Sequence, residues 1–416
     1  MKRLTIALYA LAACSLLHTT GAEAAAREKV LYSFCNQQDC LDGLYPWTGV
    51  TLAGDELYTT TTLGGNDGNS GTIVAVNIST GKARVAYPYG DRSSEFTNLN
   101  GVLYGAKESG PGAIFSFRAG IRETKNPKLL YSFCSEENCT DGAFPQSSLL
   151  YANGLFYGMT SVGGEHLGCF GPYPGCGTVF SFNQATGQEK VLHSFCTVQN
   201  CTDGSRPAGN LIAVNGILYG TTTSGGGEGR CDDMGGGCGI VFSLDPASSA
   251  ETVLHAFTGS QDGGAPSAGL LYFNGLLYGT TRQGGNTPPC STGYGCGTIF
   301  SVDPATGTKT ILHSLKGGVT DGEDPTGTLI EMNGKLFGTT RLGGEYAAGA
   351  VFSIDPATGK EKLVYSFCRL ERCKDGSTPY AGLIQVEGTL YGTTVGGGTG
   401  NEGFSTGAGT IFSLRP

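Results

Sequence analysis

The chain has 416 residues, 70 of them glycine, and its 26 Lys and Arg against 35 Asp and Glu give a net charge of −9. That balance disfavours nucleic acid, whose binding needs Lys and Arg to neutralise phosphates, and it leaves no polybasic patch for an anionic membrane. Glycine lies far above its usual share but without a Gly-X-Y period, which excludes collagen. Beyond the N-terminus no long stretch carries helical apolar periodicity.

In chain order, the first element is Met1-Lys2-Arg3 followed by an apolar run over 4–17 and then small residues. This pattern reads as a signal peptide over residues 1–25, with cleavage expected within 22–26. The run is too short to span a bilayer comfortably. Leu11-Ala12-Ala13-Cys14 offers a rival reading, a lipobox in which Cys14 becomes a lipidated N-terminus. The plain alternative is that Cys14 is an ordinary apolar residue of the signal. The remainder, 26–416, is expected to form one exported domain, periplasmic or extracellular.

The other fourteen cysteines fall into seven close pairs: Cys35/Cys40, Cys134/Cys139, Cys169/Cys176, Cys196/Cys201, Cys231/Cys238, Cys290/Cys296 and Cys368/Cys373. An even set of local pairs in an exported chain reads as disulfides. A zinc site would require two pairs to converge, and no His accompanies them at ligand spacing, so no metal site is expected there.

Three segments recur. An aromatic in a Leu-Tyr-Gly-Thr-Thr-like run appears at Tyr58, Tyr104, Tyr157, Tyr219, Tyr278, Phe337 and Tyr391. A Gly-Thr-Ile-Phe-like run ends at Val74, Phe115, Phe180, Phe242, Phe300, Phe352 and Phe412. A Val-Leu-His-Ser-Phe-like run ends at Phe34, Phe133, Phe195, Phe257, Leu315 and Phe367, with a worn copy over 85–87. One unit parses as strands over 211–214, 217–222, 239–244 and 252–257. The first hairpin is turned by Asn215-Gly216, since both central residues of such a turn need positive φ. Four antiparallel strands in a repeat of about fifty residues predict an all-β, seven-bladed β-propeller. The chain opens with a fourth-type strand, 30–34, and ends with a third-type strand, 410–414, so the N-terminal strand is expected to complete the last blade and close the ring.

These segments, with Asp-Gly-x-x-Pro between units, resemble the GloVer tandem repeat of secreted bacterial proteins over nearly all of the mature chain. Kelch-type propellers are a weaker match, because no Trp recurs. The resemblance implies no settled activity and transfers no catalytic residue.

In such a blade the second-to-third and fourth-to-first connections share one face of the ring. They carry the Gly-Gly pairs, every disulfide pair and Asp-Gly-x-x-Pro, so the elaborated face is where a ligand is expected. Asp42, Asp141, Asp203, Asp262, Asp321 and Asp375 precede Gly at one repeated place, where Asp acts as a turn device; calcium is the rival reading. His193, His255 and His313 alternate with Tyr32, Tyr131 and Tyr365 and read as structural. His166, beside Glu165, is the lone loop His, either solvated or a general acid or base. Directly after the repeated Pro stand Gln146, Ala208, Ser267 and Thr326, but Trp47, the only Trp, in blade one and Tyr380 in blade seven. Ring closure makes these blades neighbours, so Trp47 and Tyr380, with Tyr45 close by, are the candidate ligand contacts; filling a packing gap is their plain alternative. Blade two's loop, cut to Ser109-Gly110-Pro111, leaves a low wall beside them. The expected function is a monomeric binding module for an extracellular glycan or protein, with no nucleic-acid partner. The alternative is a polysaccharide lyase or hydrolase acting at the channel mouth.

Overall fold

The structure, a computed structural model, describes residues 26–66, 70–88, 93–121, 127–166, 169, 174–231, 236–285, 290, 293–400 and 407–416. The segment expected to be a signal peptide, with Cys14, lies outside them. Among the described residues no helix is long and apolar enough to cross a membrane, and the only helical pieces are short 3-10 turns such as Gln38–Cys40, Glu137–Cys139 and Glu371–Cys373.

Seven antiparallel sheets follow one another round a central channel. Blade four shows the pattern from channel to rim: Ser205–Val214, Ile217–Arg230, Ile240–Asp245 and Ala250–Ala256. The third strand is buried throughout in several blades, as in Thr298–Val302 and Ala350–Ile354, because a blade packs on both faces; this is why these runs do not alternate with polar residues. The first hairpins turn on Asn100, Asn153, Asn215, Asn274 and Asn333, all at φ of 48–54° and all followed by a positive-φ Gly, as the Asn-Gly pairs predict.

The ring closes as expected. Arg27–Ser33 is the outermost strand of the seventh blade, antiparallel to Thr410–Arg415, with Val30 opposite Phe412 and Ser33 opposite Thr410. Every blade also carries a bulge between its third and outermost strands. A bulge turns the following side chain, and here that residue is Tyr32, Tyr87, Tyr131, His193, His255, His313 or Tyr365.

The turn reading of the repeated Asp holds. Asp375 accepts hydrogen bonds from Tyr365 Oη (2.8 Å) and from the backbone N–H groups of Arg369 (2.9 Å) and Leu370 (3.0 Å). Asp42 serves Tyr32, Asn36 and Gln37 in the same way, and Asp321 serves His313 and Lys316. Each carboxylate thereby folds the loop that leads into the next blade.

Two devices in that loop join blade to blade. The residue before the repeated Pro takes a left-handed conformation: Tyr45, Phe144, Arg206, Ala265, Asp324 and Thr378 have φ of 51–59°. Its N–H donates to a carbonyl at the entry of the previous blade's third strand, Ala408, Pro111, Cys176, Cys238, Cys296 and Ala348 respectively, at 2.7–3.0 Å. The Pro ring then covers the Gly of Gly-Thr-Ile-Phe. At Gly297, φ is +98° and a Cβ would stand 2.2 Å from the Thr281 carbonyl and 2.8 Å from Pro325 Cδ. The two repeated motifs are thus halves of one contact.

Candidate functional site at the channel mouth

After the repeated Pro the innermost strand leaves its ladder. In blade four the register shifts between Ala208 and Ile212, so Gly209 and Asn210 stand free of the pairing. The freed segments of all seven blades line the channel mouth, a cavity of about 400 Å3. The wall is stitched round the circumference at every seam. Thr393 Oγ1 donates to the Thr48 carbonyl (2.8 Å), Thr51 Oγ1 to that of Phe96 (2.8 Å) and Thr97 Oγ1 to that of Leu149. The Ser148 N–H donates to Asn210 Oδ1 (2.8 Å), Thr221 Oγ1 to the Ala268 carbonyl (3.2 Å) and the Gly269 N–H to Thr328 Oγ1 (3.1 Å). Thr339 Oγ1 donates to the Ala381 carbonyl at 2.8 Å. These bonds tie each blade to the next and make the mouth rigid, which suits a preformed site.

Trp47 and Tyr380 both line this cavity. Their rings meet edge to face, with centroids 4.7 Å apart and planes at 71°. They are half-buried, so part of each faces the mouth. Tyr45 does not join them. Its positive φ of 59° turns its side chain outward, and it packs on the apolar cluster of Leu44, Leu57, Ala408 and Ile411 between blades seven and one.

Three charged groups in the wall, Glu95, Glu108 and Arg282, were not singled out from the sequence. Glu95 occupies the place, three residues after the repeated Pro, that Gly49, Ser148, Asn210, Gly269, Thr328 and Gly382 occupy in other blades. It accepts the Gly49 N–H at 3.2 Å, and burial pushes its carboxyl up to about 7. A Cβ at residue 49 would come within 2.2 Å of Glu95 Oε1, so the glycine makes room for the carboxylate. On the far wall Arg282 lines the cavity and makes two bonds to Asp324, at 2.7 and 3.2 Å, while Arg341 Nε binds the same carboxylate at 2.5 Å. Burial works against the Asp324 charge, but the two guanidinium groups outweigh it and hold the carboxyl below the usual range. The mouth is therefore bipolar, with Glu95 and Glu108 on blade two and the Arg282 guanidinium on blade five.

The other sequence candidates lie elsewhere. His166 and Glu165 are exposed on a loop outside the mouth. The fourteen cysteines pair as seven local disulfides: Cys35–Cys40, Cys134–Cys139, Cys169–Cys176, Cys196–Cys201, Cys231–Cys238, Cys290–Cys296 and Cys368–Cys373. None of these cysteines lines the mouth. Cys139 shows what these bridges hold in place. It is buried, it ends the 3-10 turn Glu137–Cys139, and its φ of 56° is left-handed. Its carbonyl accepts the Gly142 N–H at 2.9 Å and the Gly164 N–H at 3.0 Å. Cys139 thereby ties the Asp141-Gly142 turn to the Gly163-Gly164 pair of the same blade, which is a folding role rather than a ligand contact. Cys40 and Cys373 accept the same kind of pair, from Gly43 and Gly65 and from Gly376 and Gly398.

Two of the bridges converge: the sulfurs of Cys169, Cys176, Cys196 and Cys201 lie within 4.8 Å of one another, as two disulfides side by side. Wider grooves of about 710 and 840 Å3 lie on the rim at blade seams, but neither gathers side chains from all seven blades.

Fold and site define a closed, disulfide-stiffened β-propeller with a rigid polar mouth. The Gloeobacter/Verrucomicrobia repeat matches residues 168–412, and the chain belongs to that family. No curated protein matches it. Among solved structures it is similar to the extracellular domain of a hybrid two component system from B. thetaiotaomicron, at 13% identity and a TM-score of 0.57. That match covers 94% of this chain and 42% of the other, so the chain spans less than half of that neighbour's length. An oligogalacturonate lyase in complex with manganese matches at 10% identity and a TM-score of 0.50, over 94% of this chain and 90% of the other. At these identities the likeness is one of fold.

Proposed function

We propose that this is an exported binding module that acts as a monomer and takes a glycan at the channel mouth. The observation that carries this is the Trp47–Tyr380 pair, contributed by the two blades that close the ring and facing a cavity lined by all seven. Aromatic faces cover the apolar C–H side of a sugar ring with little loss of rotamer entropy, while Glu95 and Arg282 supply an acceptor and donors for hydroxyl groups. Seven disulfides suit an oxidising compartment. A glycan array probed with the mature chain tests the reading. Trp47→Ala or Tyr380→Ala should weaken a hit about 30-fold, a loss of about 2 kcal/mol typical of an aromatic anchor, with the melting temperature nearly unchanged. Loss of stability with unchanged binding would make the pair structural.

A second reading, a lyase or hydrolase acting on extracellular polysaccharide, is favoured by Glu95. A carboxyl pushed up to about 7 is poised for proton transfer near neutral pH. Turnover of array hits, abolished by Glu95→Gln while binding persists, supports it; binding without product supports the module.

A further inference from the structure

At the rim, the outermost strand of each blade reaches the Asp loop of the blade before it. Four residues before the bulge-turned Tyr or His, the strands of blades seven, three, four and six carry Glu28, Glu189, Glu251 and Glu361. These face Asp375, Asp141, Asp203 and Asp321 respectively. Each of the four Glu side chains holds its Oε1 buried with no hydrogen-bond partner. Facing carboxylates with orphaned oxygens are unfavourable unless one of them is protonated or a positive charge lies between them. Blade five shows the resolved form of the same seam. There the strand carries Lys309 in place of Glu, and its Nζ binds Asp262 Oδ1 at 2.6 Å, with His255 Nε2 on the same carboxylate at 3.2 Å.

Between blades five and six the seam gathers a mixed donor set. One ligand atom each from His313, Asp321 and Glu361 lies within 4.8 Å of the other two. The Asp321 side chain is 5% exposed and that of His313 18%. His313 Nε2 stands 2.9 Å from Asp321 Oδ2, and Glu361 Oε1 is left without a partner. The seam between blades three and four repeats the residue types as His193, Asp203 and Glu251. There His193 Nε2, Asp203 Oδ1 and Glu251 Oε1 are all buried and unpartnered, and the Asp203 side chain is 5% exposed.

We propose that His313, Asp321 and Glu361 bind a divalent transition-metal ion of the zinc class, tying blade five to blade six at the rim. One neutral imidazole and two carboxylates balance a double positive charge. The imidazole selects zinc and its neighbours over calcium or magnesium, which take oxygen ligands. With zinc–ligand distances of about 2.0–2.2 Å, the His313 and Asp321 atoms part slightly from their 2.9 Å contact while Glu361 draws in, and a three-ligand set leaves the fourth position to solvent. The ion replaces the hydrogen shared by Nε2 and Oδ2, so His313 carries its proton on Nδ1. Lys316, whose backbone N–H donates to Asp321 at 3.1 Å, is a nearby cation, but it does not satisfy Glu361 Oε1. The site is separate from the channel mouth and independent of what binds there.

The test is zinc titration by calorimetry of the mature chain without a polyhistidine tag, with melting followed in parallel. The key variant is Glu361→Lys, which copies the blade-five seam and so keeps a charge-balanced fold. Wild type should bind zinc and melt higher with it, while magnesium at equal concentration should not shift the melt. Glu361→Lys should lose one equivalent of zinc while melting, without metal, at or above the wild-type temperature. His313→Gln, which keeps a side chain able to reach Asp321, should lose the same equivalent. A wild-type chain that binds no zinc, or an unchanged stoichiometry in folded Glu361→Lys and His313→Gln, overturns the assignment.

Discussion

Replacing Phe34 by Ala probes the closure of the ring at a single side chain. Phe34 follows the strand that completes blade seven; it is fully buried, and its N–H donates to the Gly409 carbonyl at 3.0 Å. Phe257 holds the same place in blade four, equally buried, with its N–H on the Gly239 carbonyl at 2.9 Å. Truncating a buried Phe costs about 3–5 kcal/mol. Phe34 packs against Val74 where Phe257 packs against Phe300, at 5.2 Å between rings, so Phe34→Ala belongs at the lower end of that range. The two variants differ in what opens. The strand before Phe34 is continuous with blade one but joins blade seven only through noncovalent pairing to Thr410–Arg415, whereas blade four is continuous with both neighbours. The single Trp stands at the closing seam against Tyr380, so its fluorescence reports that seam and far-UV circular dichroism reports the whole ring. In denaturant, Phe34→Ala should move the Trp47 transition ahead of the dichroism, while Phe257→Ala should move both together. If both transitions of Phe34→Ala coincide with those of wild type, the terminal strand does not hold the ring shut. The same conclusion would follow if a chain begun at Leu41 melted like the mature protein.

Stability should fall as pH rises from 5 to 8. Burial first, and the facing Asp second, push the Glu189 carboxyl up to about 8 and that of Glu28 up to about 7, from an ordinary 4.5. The fold therefore favours their protonated forms; the contribution is complete below pH 4.5 and is lost as pH rises through 7 to 8. Glu189→Gln should flatten the slope of melting temperature against pH, and a slope of opposite sign in wild type refutes the reasoning. Gly297→Ala should cost on the order of 3 kcal/mol, since it adds a Cβ at φ +98° against a carbonyl and Pro325; a near-neutral result in urea melts would show that the Pro–Gly contact yields easily. Cys196 and Cys201 lie 5 residues apart in sequence, and removing that bridge as a double Ser variant should cost about 2 kcal/mol by loop entropy; peptide mapping of the parent should find only local bridges, and a bridge between distant repeats would contradict the pairing.

What the sequence made legible is what recurs. Asn-Gly turns, buried third strands and the permuted terminal strands each obey a local rule, and seven copies supply the repetition that turns a weak rule into a fold. The Asp of Asp-Gly reads as a turn device because its partners lie within ten residues. The cysteine pairs were legible for the same reason, but the burial of Cys139 was not, since it depends on Gly164 folding back over its carbonyl. Contacts across a seam were hidden because their partners are distant. Asp324 meets Arg282 from 42 residues away, and Glu361 meets Asp321 from another blade. Tyr45 shows the same limit: its nearness to Trp47 in sequence suggested a shared surface, but a left-handed residue turned it into the seam.

Glu95 marks where the signal did exist. It stands three residues beyond the repeated Pro only if the copies are aligned through blade two, and there Arg92 replaces the Pro that marks the register. The same irregularity that obscures the alignment removes a ring that elsewhere fixes blade against blade. Gly49, its neighbour across the seam, has no side chain to fill the place. A carboxylate can then turn into the channel. The acid of the mouth therefore sits where the repeat is most worn, whereas its guanidinium, Arg282, stands in an intact blade and is held there by Asp324 of the next.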